Sequence, residues 1–158
     1  MKTVIRPARQ TDKNDLVFLL KNISQFEPYE LTVAQELIDE YLCQGTSSGY
    51  YILVALEADV LAGYICYGPT PLTESTWDIY WEAVSPTLQG KGIGRALIES
   101  AEANICAMGG HLILIETSSS PAYENTRKFY VSNGYQLASC IPDFYAPNDD
   151  RLTYCKKL

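Results

Sequence analysis

The chain has little of what metal centres and disulfide scaffolds require. Its 158 residues include a single histidine, His111, which excludes a site with several histidine ligands. The five cysteines are odd in number and widely spaced, and no two of them form a C-x-x-C pair. This pattern argues against a disulfide framework or a zinc site, so no metal is predicted, and Cys66 and Cys106 are interpreted as buried, small apolar residues.

Long apolar runs and an excess of positive charge are also missing. No run approaches the ~20 residues of a membrane span, and residues 1–5 lack the apolar region of a signal peptide, so we expect a cytoplasmic protein that contacts no membrane. The net charge of -7 makes nucleic acid a poor partner. The same charge would attract a cationic substrate such as a polyamine, an aminoglycoside-like amine or a lysine side chain, although it would also serve solubility alone.

The order of apolar patterns and turn residues predicts one domain over residues 1–158, arranged β-α-α-β-β-β-α-β-α-β-β. Helices are expected from Thr11 or Asp12, from a capping box at Thr32 and Gln35, from the segment after Gly92, and from Ser120. Residues 25–31 and 142–150 are interpreted as loops. The predicted strands are residues 3–7, 50–56, 60–67, 76–84, 111–117, 135–141 and 151–157. This order favours a mixed, mostly antiparallel sheet with helices on both faces.

The most informative segment is the glycine loop, residues 89–95, which reads Gln-Gly-Lys-Gly-Ile-Gly-Arg. It stands between a strand rich in aromatic and β-branched residues and an amphipathic helix. Glycine lets a backbone approach a ligand closely, and the first turn of a helix carries N–H groups without partners, so the segment predicts a pyrophosphate site. Its spacing fits neither a P-loop nor the G-x-G-x-x-G dinucleotide fingerprint.

The glycine loop matches the pattern Q/R-x-x-G-x-G/A, and in this it resembles the acetyl-coenzyme A loop of the GCN5-related N-acetyltransferase (GNAT) family. Residues 3–8 resemble the opening strand of that family, and residues 129–135 resemble its late helix-to-strand motif. The resemblance thus covers nearly the whole chain in the right order. It implies an α/β (α+β) acyl-CoA N-acyltransferase fold, in which about four helices cover a seven-stranded sheet that is splayed between its fourth and fifth strands.

For the coenzyme, the resemblance implies contacts that are made chiefly by the backbone. Ala83 and Val84 are expected to pair with the pantetheine arm of acetyl-CoA, and N–H groups of the glycine loop and the following helix to hold its pyrophosphate. Lys91 and Arg95 would add positive charge. The predicted cofactor-binding residues are Ala83, Val84, Gln89, Gly90, Lys91, Gly92, Ile93, Gly94, Arg95 and Ala96.

The implied reaction is direct attack of a primary amine on the acetyl thioester in a ternary complex, without a metal. Tyr130 matches the usual general acid of the family, which protonates the leaving thiolate. Three carboxylates are candidates for the base. Asp78 matches a position used by histone-type members, Glu82 is expected on the same strand face nearer the glycine loop, and Glu116 is a weaker candidate.

The acceptor site is expected at two loops that combine aromatic and acidic residues. Phe26, Tyr29 and Phe144 would hold an organic ammonium group there by cation–π contacts. Tyr123 stands seven residues before the Tyr130 position, where the family commonly has Asn, and is expected to reshape the acceptor side.

These features together predict an N-acetyltransferase, an acyltransferase of class EC 2.3.1, that acts on the amine of a small molecule or peptide. Two alternatives stay open. One is a protein acetyltransferase acting on N-termini or lysines, and the other is a non-catalytic acyl-CoA-binding or sensing module. A homodimer formed through the last strands is a further expectation.

Overall fold

The computed structural model describes residues 3–158 and shows one seven-stranded sheet with helices on both faces. The strands are β1 Val4–Pro7, β2 Tyr51–Glu57, β3 Val60–Pro69, β4 Thr76–Val84, β5 Leu112–Ser118, β6 Gln136–Ala146 and β7 Asp149–Lys157. The α-helices are α1 Lys13–Lys21, α2 Pro28–Gln44, α3 Ile93–Ala107 and α4 Glu124–Ser132. Met1 and Lys2, on which part of the N-terminal prediction rests, lie outside the described residues.

The strand order is β1-β2-β3-β4-β5-β7-β6, with β4 and β5 parallel and every other neighbouring pair antiparallel. This arrangement confirms the predicted fold class. Within residues 3–158, none of the helices is long and apolar enough to cross a membrane.

Two apolar cores lie on opposite faces of the sheet because successive strand residues point to alternate sides. On β2, Ile52 contributes to the core under α1 and α2, whereas Leu53 contributes to the core under α3 and α4. The predicted inner residues of the first helix are all buried in the α1–α2 core, namely Leu16, Leu19, Leu20 and Ile23. Cys66 is buried as predicted, whereas the predicted burial of Cys106 is wrong, because it lies on the exposed side of α3. Burial of each large aliphatic side chain stabilises the fold by about 1.5–3 kcal/mol.

A β-bulge interrupts the pairing of β3 with β4. Tyr67 lies opposite Ile79 and Cys66 lies opposite Trp81, so Tyr80 is an extra residue without a partner on β3. Such an insertion reverses the alternation of side chains along the rest of the strand.

The bulge assigns the two halves of β4 to different cores. Trp77 packs in the α3–α4 core, whereas Trp81 packs against the α1–α2 core. Asp78 and Glu82 therefore lie on opposite faces of the sheet. The prediction that they share a face is wrong, because it assumed an unbroken two-residue period.

β4 and β5 separate after four paired positions, which run from Thr76 opposite Leu112 to Ile79 opposite Ile115. Beyond that point both strands continue, to Val84 and Ser118 respectively, without pairing to each other. The backbone groups on these facing edges are available to a ligand that lies extended between the strands. The observed separation agrees with the splay that the family resemblance implied.

The second helix begins earlier than the sequence pattern indicated. Its first residue is Pro28, whose fixed φ suits the first helical position, and not a residue next to Thr32. The backbone N–H of Glu27 donates to Oε2 of Glu30 over 2.7 Å, so Glu27 and Glu30 cap the N-terminus of the helix. Residues 28–31, four of the seven in the predicted loop 25–31, are consequently helical.

Residues 142–150 form the end of a hairpin and not the predicted loop. β6 extends to Ala146, a two-residue turn follows, and β7 begins at Asp149. Local hydrogen bonds hold this shape, since the N–H of Asp143 donates to Oδ1 of Asp150 over 2.9 Å and the N–H of Asn148 donates to Oδ1 of Asp143 over 2.7 Å. The proline and acidic residues in this segment are uncommon in strands, so the sequence did not indicate one here.

Candidate active site

A cleft of about 1120 Å³ opens where β4 and β5 separate. The glycine loop and the start of α3 form one end of the cleft. The other, here named the aromatic end, is formed by Phe26, Tyr29, Tyr80, Trp81, Tyr123 and Tyr145. The volume exceeds that of many single-ligand pockets, so the cleft has room for two molecules that meet between the strands.

The glycine loop has a backbone that only glycine adopts easily. Gly90 has φ 76° and Gly92 has φ 82°, both in the left-handed region. A Cβ on either residue would meet no atom within 4 Å, so the space over the loop is open. Ile93, the first residue of α3, is 2% exposed and anchors the helix start in the core.

The first turn of α3 supplies the free donors of this end. The N–H of Ala96 donates to the carbonyl of Gly92 over 3.0 Å, so the first intrahelical hydrogen bond already uses it. The N–H groups of Ile93, Gly94 and Arg95 precede that bond and have no partner within the helix. The structure thus leaves Ala96 outside the set of donors that the sequence predicted.

Two cations were predicted beside the glycine loop. Arg95 lines the cleft, and its Nε is 2.8 Å from Oε1 of Glu99 on the exposed surface of α3. Lys91 is exposed and does not line the cleft. Both lie within the first turn of the helix or just before it, where an anionic ligand would meet them.

Glu82 is a carboxyl group buried between β4 and α3. A Cβ on Gly94 would come within 3.2 Å of its Oε1. Both of its oxygens are buried and, among the residues that the structure describes, neither has a hydrogen-bond partner. Burial, with a smaller contribution from the negative charge of Glu102, raises the pKa of Glu82 to about 8. At neutral pH a buried carboxyl of this kind is mostly protonated, and an approaching cation or hydrogen-bond donor favours its ionised form.

Tyr130 lies close to Glu82 on the α4 side of the cleft. It is 8% exposed, lines the cleft, and packs its ring 6.2 Å from that of Tyr135 and 6.1 Å from that of Tyr154. Burial and then the charges of Glu82 and Tyr123 raise the pKa of the Tyr130 phenol. The phenol is therefore protonated at neutral pH and can donate a proton.

The other two carboxylates that the sequence singled out are placed differently. Asp78 lies outside the cleft, where its Oδ2 accepts a hydrogen bond from Oγ1 of Thr70 over 2.7 Å. Glu116 lines the cleft but is exposed, and its Oε1 is 3.7 Å from the guanidinium of Arg151. The structure thus brings Glu82 and Tyr130 together and separates Asp78 from both.

Tyr123 joins two chain segments across the aromatic end. Its hydroxyl donates to the carbonyl of Gln25 over 3.3 Å and lies 3.5 Å from Oε1 of Glu30. The side chain of Gln25 returns the contact, since its Nε2 donates to the carbonyl of Ala122 over 2.7 Å. We call these contacts the Gln25–Tyr123 junction.

The predicted acceptor aromatics divide into two groups. Phe26 packs edge-on against Trp81 with ring centroids 5.3 Å apart, and Tyr29 is 67% exposed, and both line the cleft. Phe144 does not line the cleft, because its ring lies under the guanidinium of Arg151 at 4.5 Å. Its neighbour Tyr145 lines the cleft instead.

Sequence reasoning missed three of the aromatic residues that form the aromatic end, namely Tyr80, Trp81 and Tyr145. The bulge at Tyr80 places the first two, and the β6–β7 hairpin places the third. If residues 142–150 had been predicted as a hairpin, alternation from Phe144 would have indicated Tyr145, whereas a bulge leaves no comparable signal in a single sequence.

The lining of the cleft is strongly acidic. Its carboxyl groups belong to Glu27, Glu30, Glu82, Glu116 and Asp149. Among the described residues that line it, Arg95 is the single cation. Within residues 3–158 no three His, Cys, Asp or Glu side chains are grouped to hold a metal ion. The chemistry of the lining therefore suits an anion at the glycine loop and a cation at the aromatic end.

Comparisons with known proteins agree with the family resemblance that the sequence showed. The family model of the acetyltransferase (GNAT) domain matches residues 48–137. A protein from Desulfovibrio desulfuricans that is assigned to the GNAT family has 38% sequence identity, with 99% of each chain covered and a TM-score of 0.95. No curated protein matches the chain in sequence.

Two more distant structures share the fold. An aminoglycoside 6'-N-acetyltransferase complexed with coenzyme A has 17% identity and a TM-score of 0.78, over 98% of this chain and 96% of the other. The ribosomal-protein-S18-alanine N-acetyltransferase of Escherichia coli has 19% identity and a TM-score of 0.78, over 99% and 94%. The chain belongs to the GNAT family of acetyl-CoA-dependent N-acetyltransferases.

Proposed function

We propose that this enzyme transfers the acetyl group of acetyl-CoA to a primary amine of a small cationic molecule or peptide, by direct attack in a ternary complex. The observation that carries the proposal is the buried, unpartnered carboxyl of Glu82 in the same cleft as the glycine loop and Tyr130. A buried carboxyl without hydrogen-bond partners is stabilised most by a cationic partner, and an ammonium acceptor would be such a partner.

The glycine-loop end fits the coenzyme. The open space over Gly90 and Gly92, together with the free N–H groups of the first turn of α3, suits a pyrophosphate. The unpaired edge of β4 at Ala83 and Val84 suits the amide groups of the pantetheine arm. The residues proposed to bind acetyl-CoA as a whole are Ala83, Val84, Gln89, Gly90, Lys91, Gly92, Ile93, Gly94 and Arg95. When bound, acetyl-CoA supplies the activated thioester.

Glu82 and Tyr130 are proposed to handle the two protons of the reaction. Glu82 takes a proton from the ammonium of the acceptor, since a protonated amine has no lone pair for attack. Because Glu82 is protonated in the empty cleft, it must first release its own proton to water, and the approach of the ammonium favours the carboxylate that results. Tyr130 holds a proton on its hydroxyl for the sulfur that leaves.

The aromatic end is proposed to bind the acceptor. Glu27, Glu30, Glu116 and Asp149 attract positive charge, and the faces of Phe26 and Tyr29 suit an organic ammonium. The Gln25–Tyr123 junction closes one side of this end, which favours a small amine or a narrow peptide over a folded protein.

Two relatives of the same fold illustrate the alternatives, because their names specify an aminoglycoside and an alanine of ribosomal protein S18 as acceptors. A non-catalytic acyl-CoA-binding module is disfavoured, because such a module needs neither Glu82 nor Tyr130 in the cleft.

The test measures coenzyme binding and turnover separately. Thermal unfolding is followed with and without acetyl-CoA. Thiol release is then followed with spermidine, kanamycin, a peptide with an N-terminal alanine and a lysine peptide. Neutral sugars that carry no amine serve as controls. Stabilisation together with thiol release from an amine supports the proposal. Stabilisation without thiol release from any amine would favour the sensing module, and the absence of stabilisation would remove the coenzyme assignment.

A further inference from the structure

The cleft carries carboxyl groups at two depths. The inner one is Glu82, whose two oxygens are buried and have no hydrogen-bond partner among the described residues. Glu30 and Asp149 lie further out, where they line the aromatic end and are partly exposed. We call Glu30 and Asp149 the outer carboxylates. One cleft thus offers two separate places for positive charge.

The outer carboxylates flank one short segment, residues 118–123. Oδ1 of Asp149 accepts a hydrogen bond from Oγ of Ser118 over 2.5 Å, at the beginning of this segment. Oε1 of Glu30 lies 3.5 Å from the hydroxyl of Tyr123, at its end. The two carboxylates therefore lie against a common strip of chain at the same end of the cleft.

The protein does not offset the charge of the outer carboxylates. Within residues 3–158, neither of them forms an ion pair with a Lys, Arg or His side chain. Both act on the same neighbouring ring, since the charge of Glu30, then burial and the charges of Glu27 and Asp149, raise the pKa of the Tyr29 phenol. Uncompensated carboxylates beside aromatic faces suit an organic ammonium that keeps its charge.

Helix α4 gives the distance between the two depths. A Cβ on Gly94 would come within 3.2 Å of Oε1 of Glu82 and within 3.3 Å of the Phe129 ring, so the inner carboxyl lies beside Phe129. The outer carboxylate Glu30 is next to Tyr123, which precedes α4 and stands six residues before Phe129. Six helical residues span about 9 Å, so the inner and outer carboxyl groups are on the order of 10 Å apart.

We propose that the acceptor is a linear small molecule with two ammonium groups about 10 Å apart, of which the inner is acetylated and the outer binds between Glu30 and Asp149. This inference rests on the proposed function, because the inner position is the one assigned to the attacking amine. The inner nitrogen loses two protons, one to Glu82 and one to water, and bonds to the acetyl carbon. The carbon–sulfur bond breaks, and Tyr130 protonates the sulfur and regains its proton from water.

A second charge on the acceptor solves a problem that the reaction creates. The attacking amine must lose its proton, so a monocation would leave the outer carboxylates without a positive partner at that moment. A dication keeps its outer ammonium throughout the reaction. The outer contact is then equally strong before and during the chemical step, and uniform binding of this kind lowers KM with little effect on kcat.

The test compares acceptors of equal length that differ only in the outer group. Thiol release from acetyl-CoA is followed with α,ω-diaminoalkanes and with the amino alcohols in which a hydroxyl replaces the outer amine. At the best length, kcat/KM of the diamine should exceed that of the amino alcohol roughly ten- to a hundredfold, mainly through KM. The two reactive ends of a diamine account for no more than a doubling. The optimum should fall at chains of roughly seven methylene groups, which span about 10 Å when extended.

Variants locate the outer ammonium. Glu30→Gln and Asp149→Asn keep the size of the side chain and remove its charge, so each should lower the ratio of diamine to amino alcohol kcat/KM roughly fivefold or more. Glu40→Gln makes the same change at an exposed position of α2 outside the cleft and should leave the ratio unchanged. A merely structural role of Glu30 and Asp149 would weaken both acceptors alike. An unchanged ratio in both variants, or equal use of the two acceptors by the wild type, would overturn the inference.

Binding without turnover separates this inference from the proposed function. Calorimetry follows the diamine and the amino alcohol as they bind to the enzyme saturated with coenzyme A, which carries no acetyl group. If no amine is acetylated but the diamine binds roughly tenfold more tightly or better, the proposed function fails and the dication site is supported. If amines are acetylated but the two compounds bind alike, the proposed function stands and this inference is rejected. Absence of both effects rejects both.

Discussion

The hydroxyl group of Tyr123 donates a hydrogen bond to the backbone carbonyl of Gln25, a residue 98 positions earlier in the chain. This bond joins the connection between α1 and α2 to the segment that leads into α4. Asparagine, which the GNAT family commonly carries at this position, is too short to make the same link. At a position where the family resemblance implies contact with the pantetheine arm or the substrate, this chain has a tyrosine that joins two segments of the aromatic end.

Removal of the Tyr123 hydroxyl should weaken binding of the acceptor and not binding of the coenzyme. Tyr123→Phe should raise the acceptor KM roughly fivefold, which corresponds to the loss of about one hydrogen bond. Gln25→Ala removes the return contact to Ala122 and should have a similar effect. Steady-state kinetics and thermal shifts with coenzyme A measure the two effects, and an equal loss of coenzyme affinity would contradict this account.

Replacement of Tyr130 should slow the chemical step. Tyr130→Phe keeps the ring packing but removes the proton donor, so kcat should fall roughly a hundredfold while coenzyme affinity changes little. Tyr154→Phe is the matched control, because Tyr154 packs 6.1 Å from Tyr130 but does not line the cleft. Full turnover in Tyr130→Phe would remove this residue as the acid.

The glycine loop offers a comparison between two equally strained backbones. Gly92 has φ 82° beside the cleft, and Gly109 has φ 84° beyond the other end of α3. Valine at either position should destabilise the fold by roughly 1–3 kcal/mol. Only Gly92→Val should also lose coenzyme binding, measured by calorimetry. Retention of binding would show that the pyrophosphate lies elsewhere.

Catalysis should depend on pH through Glu82. Its pKa is raised to about 8, so the carboxyl is protonated below that value and accepts a proton only above it. We expect kcat/KM to increase as the pH rises through about 8, and Glu82→Gln to remove this dependence. Asp78→Asn should leave the profile unchanged, because Asp78 lies on the opposite face. If Asp78→Asn alone changed the pH profile of kcat/KM, Asp78 and not Glu82 would be the base.

The same carboxyl should make stability depend on pH. A carboxyl whose pKa is higher in the folded state than in the unfolded state favours folding at acidic pH. This contribution is fully present below the ordinary pKa of 4.5 and is lost progressively as the pH rises from there to about 8. The difference between the unfolding temperatures of Glu82→Gln and the wild type should therefore shift in favour of Glu82→Gln between those two pH values and stay constant above them. Parallel curves over that interval would show that Glu82 ionises freely in the folded protein.

The regular part of this molecule could be predicted because local patterns and tertiary packing agree. The glycine loop signals its own conformation, since alternate glycines before an amphipathic helix have few other uses. The inner face of α1 follows from its apolar period, and all four predicted residues are buried. The strand β4 was predicted with its observed bounds, Thr76–Val84.

The orientation of the carboxylates could not be predicted, because it depends on one inserted residue. Tyr80 breaks the register of β4, and this break turns Glu82 toward α3 while Asp78 faces the other core. Nothing in a single sequence marks the insertion, because Tyr80 suits a regular strand as well as a bulge. The junction at Tyr123 was likewise hidden, since its partners lie far away in the sequence.

The outer strand β6 limits how copies of this protein can associate. Every residue of β6 is exposed, and its pairing with β7 is irregular at two places, the second of them between Ile141 and Ala146. Pro142 lacks an N–H group there, and Asp143 has φ 55°, so this edge offers no continuous ladder to another strand. A strand of a second copy could not pair with β6 along its whole length without a break at Pro142 and Asp143.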